Sequence, residues 1–181
     1  MSIIRDIVHD KDGLGWLYGK FDSDSFFQGE MSITIYGESD DYIEYAEKCV
    51  VHYNRLKDDS GFMADLRDKL AKFMYYMRNE WEAMGIYDDI AEDTDKAVAD
   101  FESGGDILKY LTRPYLNVEI PEDGTDEIGY SIVAECPWEP EHQCSIIVRG
   151  DQLKYVGPDD GSTPWDDDDQ YYCIWLDEET E

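Results

Sequence analysis

The spacing of apolar residues changes twice along this chain, and each change restricts the fold. LGWLYGKF (residues 14–21) and GEMSITIYG (29–37) alternate, with Met31, Ile33 and Ile35 on one side and Ser32 and Thr34 on the other. That is the period of a half-buried strand, with Asp22 to Ser25 as the connecting turn. From Ser39 the recurrence becomes helical. Ser39 stands at an N-cap, Asp40 and Asp41 suit the positive end of the helix dipole, and Ile43, Ala46, Val50, Tyr53 and Leu56 follow at steps of three and four. Asp58 to Gly61 interrupts this helix near Lys57. A longer stripe then runs through Phe62, Leu66, Leu70, Phe73, Met77, Trp81 and Met84 and stops at Gly85. Thr94 to Phe101 predicts a third helix, and DILKYL (106–111) a short helical turn.

All six prolines lie at or after Pro114, where alternation returns. YLNVEI (115–120) sets Leu116, Val118 and Ile120 on one face, and Pro121 to Thr125 supplies turn residues. GYSIVAEC (129–136), CSIIVRG (144–150) and QLKYVG (152–157) then form a meander. One register places Tyr130, Ile132, Ala134 and Cys136 on the same face as Val148, Ile146 and Cys144. A two-residue turn at Gly150 and Asp151 sets Val148 beside Leu153 and Ile146 beside Tyr155. The loop from Pro137 to Glu141 is expected to expose Trp138, Glu139 and Glu141 at its tip, with His142 beside them. The prediction is a single α+β domain over residues 1–181. Its antiparallel sheet comes from an N-terminal hairpin and a C-terminal meander, with two to four helices (39–111) packed on one face.

Charge sets the limits on partners. Forty-four acidic residues against fifteen basic ones give a net charge of −29, while 42% of residues are hydrophobic and 14% aromatic. So aromatic a chain builds a core rather than remaining disordered. Its surface repels nucleic-acid phosphates and anionic lipid, which leaves basic proteins and cations as partners. No apolar run approaches the ~20 residues of a membrane span, and the start carries no secretory pattern, so a cytoplasmic location is expected. Cys49, Cys136, Cys144 and Cys173 form no C-x-x-C pair and are expected as buried, reduced thiols.

The search for chemistry returns little. GLGWLYG misses the dinucleotide fingerprint by one residue, no phosphate loop or nucleophile elbow occurs, and HDKDGLG fails as an EF-hand loop at its first and twelfth positions. Cys136, His142 and Cys144 offer three zinc-type ligands, but a fourth would have to come from Cys173 or a distant histidine. Catalytic, cofactor and metal residues are therefore not assigned. The acidic loop 158–170 holds Asp159, Asp160, Asp166, Asp167, Asp168 and Asp169 around Trp165, an aromatic ringed by charge that suits a protein-binding anchor. The competing reading is a solvated acidic loop.

The stretch W-E-x-E-H at Trp138 to His142, followed by the hairpin from Ser145 to Gly157, resembles uncharacterised bacterial domains that often accompany polymorphic-toxin immunity genes. The Ile-Ile-x-Asp opening, Leu14-Gly15, Phe27-x-Gly29 and the two helices that follow are similar to a related family of the same kind. Gln143 stands where a glycine is common in that pattern. The resemblance implies an α+β fold and no established chemistry. Three functions are compatible with it: a non-catalytic, immunity-like module for a basic partner, a metal-dependent hydrolase or other enzyme with an unrecognised site, and a structural protein whose acidity is surface adaptation. The first is favoured by charge and resemblance together.

Overall fold

The computed structural model describes residues 2–85, 88, 91–121 and 124–173. Seven strands form one sheet in sequence order: β1 (Arg5–His9), β2 (Leu17–Asp24), β3 (Gln28–Ile35), β4 (Thr112–Val118), β5 (Gly129–Cys136), β6 (Glu139–Arg149) and β7 (Gln152–Pro158). All neighbours are antiparallel except β3 and β4, which run parallel. The helical segment between those two strands returns the chain to the same end of the sheet, so the N-terminal hairpin and the C-terminal meander become one sheet. The expected α+β architecture is the one observed. Glu122 and Asp123, within the turn expected at Pro121 to Thr125, lie outside the described residues, as does the chain after Cys173.

The helices are α1 (Asp40–Arg55), α2 (Ser60–Met84) and α3 (Ala91–Glu102), with 3₁₀ turns at Leu56–Asp58 and Ile107–Tyr110. Ser39 occupies the N-cap of α1 but its hydroxyl makes no capping bond. The cap of α2 is stronger. Asp59 Oδ1 accepts from the amides of Gly61 and Phe62 at 2.9 Å each, and Gly85 closes the helix in the left-handed conformation at φ 74°. The helices bury Ile33, Ile35, Leu116, Val118, Ile132 and Ile146, all on one sheet face. Polar ties span the layers: the Tyr45 hydroxyl donates to Glu127 O and accepts from Gly129 N, and His52 Nδ1 lies 2.8 Å from the Tyr130 hydroxyl.

Three features depart from the sequence reading. Asp22 to Asp24, expected in the connecting turn, extend β2, and the turn falls at Ser25 to Phe27. β1 was not expected, because RDIVH is short and mostly exposed, as suits a charged edge strand. The β6–β7 register also differs: Val148 faces Leu153 as expected, but Ile147, not Ile146, faces Tyr155. Lys154 is the extra residue that produces this shift, a β-bulge that no alternation pattern encodes. Its consequence is that Tyr155 moves to the face away from the helices, where Ser131, Ser145 and Ile147 also lie.

Candidate functional site

That outer face is only half open. Val133, Ser145 and Ile147 point away from the helices yet are buried, because the chain after β7 folds back across them. Four side chains pin the returning segment. Arg149 donates to the carbonyls of Pro164 (3.2 Å) and Asp166 (3.0 Å) and pairs with the Asp168 carboxylate. The bulged Lys154 reaches the same carboxylate at 2.6 Å. Trp165 Nε1 donates to Glu119 O at 2.9 Å, and Tyr171 packs against Tyr155 of β7, ring centroids 6.3 Å apart, while its hydroxyl donates to Thr163 O within the segment at 2.8 Å. Gly129 is required beneath Trp165, since a Cβ there would come within 2.6 Å of the indole ring. The Lys154 ammonium holds the Asp168 carboxyl below its ordinary range, with Arg149 adding to the effect.

The expected site residues therefore divide. Asp160, Asp167, Asp168 and Asp169 are exposed. Asp166 is turned back to cap Thr163, accepting from its amide and hydroxyl at 2.9 Å each. Trp165 is packed inward and fastens the segment to the sheet instead of projecting from it. The hairpin tip differs further from expectation. Its turn is only Pro137 and Trp138, and Trp138 is fully buried, edge-on to Phe73. Helices α2 and α3 dock over it: Trp81 Nε1 donates to Trp138 O at 2.8 Å and Thr94 Oγ1 to Pro137 O at 3.1 Å. Glu139 is also buried, and its Oε1 accepts from the amides of Glu141 (3.2 Å) and His142 (3.1 Å). Of that tip, Pro140, Glu141 and His142 are exposed. Gln143 sits at φ 66°, in the left-handed region where glycine is unstrained, which gives a backbone reason for the glycine of the resembling pattern.

The four cysteines are free and buried. Burial pushes the Cys49 thiol up to about 12 and raises those of Cys136, Cys144 and Cys173, so the reactive thiolate is suppressed. Cys136, Cys144 and His142 do not assemble as ligands: among the described residues, no three His, Cys, Asp or Glu side chains converge on a metal position.

Between the returning segment and the strands lies a half-enclosed cavity of about 390 Å³. Trp16 and Tyr36 form one wall, edge to face with ring centroids 4.9 Å apart. Asn117 and Ser131 face each other across β4 and β5 on its floor, and Glu119 and Asp159 add two carboxylates. Burial raises the Asp159 carboxyl above its ordinary value, and neighbouring Asp160 adds to that shift. Burial also raises the Tyr36 hydroxyl, with Tyr115, Asp159 and Glu119 contributing. Periodicity could not reveal this cavity, because its residues come from five separate stretches of chain.

A sequence model for a domain of unknown function, DUF6985, matches residues 4–163, the span that builds the whole sheet and all six of these side chains. The chain belongs to that family. No curated protein and no solved structure matches it. The DUF6985 match ends at Thr163, so Trp165 and Asp166 to Asp169 lie beyond the matched residues. No described helix of the domain is long and apolar enough to cross a membrane.

The raised Asp159 carboxyl gives a signed prediction. A carboxyl whose folded pKa exceeds its unfolded value destabilises the fold above the folded pKa. That penalty shrinks as pH falls and is gone below the unfolded value near 3.8. Asp159→Asn is therefore expected to raise the urea midpoint at pH 7 and to match the parent below pH 3.8. A variant less stable than the parent at pH 7 would contradict this.

Proposed function

We propose that this DUF6985 domain is a non-catalytic, immunity-like protein-binding module that docks a basic protein. The observation that carries the reading is the pinning of the acidic segment by Arg149, Lys154, Trp165 and Tyr171. A loose acidic tail would have to be ordered on binding, whereas a pinned one presents Asp160, Asp167 and Asp169 at fixed positions and avoids that entropic penalty. The net charge of −29 steers a basic partner into encounter. Glu141 and His142 at the hairpin end are a second exposed patch, and a reducing cytoplasmic setting suits the four free cysteines.

The test is kinetic. Candidate basic proteins, beginning with any encoded by a neighbouring gene, are immobilised and association is followed at low and high salt. The combined variant Asp160→Asn, Asp167→Asn, Asp169→Asn is expected to associate roughly tenfold more slowly at low salt, with a flatter salt dependence and less than about a twofold change in dissociation rate. A variant that keeps the parental salt dependence would leave the acidic segment without this role.

A further inference from the structure

The outer-face cavity combines features that surface charge alone does not explain. Ser131 on its floor is only 8% exposed, and among the described residues its hydroxyl has no hydrogen-bond partner. The Asn117 side-chain amide opposite it is likewise unpartnered. Among the described residues no lysine or arginine pairs with Asp159, whose carboxylate accepts from the Gly161 amide and feels the charge of His142. Ser131 and Asn117 line the cavity, so their open hydrogen-bonding positions are presented to whatever enters it.

We propose that this cavity is the anchor site for one cationic side chain, a lysine ammonium or an arginine guanidinium, of the basic protein partner; the inference rests on the binding-module reading above. Such a side chain brings only donors, and the cavity supplies acceptors: the Asp159 and Glu119 carboxylates, the Ser131 hydroxyl and the Asn117 carbonyl oxygen. Its methylenes and charge meet the Trp16 and Tyr36 rings, whose faces attract cations. An anion would be repelled by both carboxylates, and a wholly apolar group would desolvate the Asp159 carboxylate and leave the Ser131 hydroxyl and Asn117 amide without partners. The volume of about 390 Å³ accommodates a long side chain. The acidic segment forms the rim, through Gly161 to Pro164. A partner steered to that segment would thus bring its side chain directly over the opening, and this geometry favours a protein over a free small cation.

The experiment is an NMR titration of the full chain with three probes. These are N-acetyl-lysine methylamide, its uncharged norleucine counterpart, and a twelve-residue lysine-rich peptide. Saturable shifts at the Trp16 indole and the Asn117 side-chain amide are expected with the lysine amide but not with the norleucine one, and the peptide should bind at least about tenfold more tightly than the amide. Asp159→Asn should weaken both cationic probes at least about tenfold while folding at least as stably as the parent, and Ser131→Ala should weaken them by about threefold. Equal shifts from norleucine, the absence of saturation, or an amide that binds as tightly as the peptide would overturn the proposal. Peptide binding that survives Asp159→Asn but falls in the Asp160, Asp167, Asp169 variant would remove the cavity's role and leave the binding module standing. Peptide binding unaffected by either set would remove both.

Discussion

Trp138→Ala is expected to destabilise the domain by about 3–5 kcal/mol, the range for deleting a large aromatic from a packed core. For a chain of this length that corresponds to a drop in melting temperature of about 6–20 °C. The ring is fully buried against Phe73 beneath α2 and α3, and its removal leaves a void that the surrounding bonds from Trp81 and Thr94 to the turn carbonyls prevent from collapsing. Trp138→Phe should be far milder, below about 1.5 kcal/mol, because the indole N–H has no hydrogen-bond partner among the described residues and its loss relieves a desolvated donor. Urea unfolding of both variants checks the pair. An alanine variant within about 1 kcal/mol of the parent would mean that the hairpin end is solvated after all.

Arg149→Ala is expected to release the acidic segment while leaving the sheet intact. One guanidinium holds two backbone carbonyls and the Asp168 carboxylate, and its side chain is mostly buried. Hydrogen bonds from a charged donor contribute about 1.5–3 kcal/mol each when buried. Discounting for the exposed Asp168 leaves about 2 kcal/mol, or a roughly 30-fold rise in the opened population. Hydrogen exchange should rise at the Asp166 and Gln170 amides, which are bonded within the segment, while the amides of β5 and β6 keep their protection. Arg149→Lys should recover only part of the effect, since an ammonium lacks the fork that reaches two carbonyls and a carboxylate together. Unchanged exchange at those amides in the alanine variant would show that Trp165 and Tyr171 suffice to hold the segment. The same variant bears on function: if a pinned acidic surface is what binds, partner affinity falls even though no acidic residue has been altered.

Much of the fold was legible because it is local. A helix needs its apolar residues at steps of three and four, a strand needs alternation, and Asp59, Gly85 and the Gly150-Asp151 turn act within a few residues of themselves. Those rules placed α1, α2 and most of the strands to within a few residues. They also paired Ile132 with Ile146 and Ala134 with Cys144 correctly. β1 escaped because an exposed edge strand has no buried face to impose a pattern.

What only the tertiary structure decided is which surfaces are covered. The sequence presents Trp138 and Trp165 alike, each as an aromatic among carboxylates near a turn. The fold buries the first beneath helices that begin more than forty residues earlier in the chain, and turns the second inward onto Gly129. Trp16 and Ser131, over a hundred residues apart, meet on one cavity wall and floor for the same reason. Periodicity records which face of an element is apolar, but not what arrives from elsewhere to cover its other face. That is set by the parallel junction of β3 with β4, the bulge at Lys154 and the returning segment, contacts between residues too far apart in sequence for any local preference to specify.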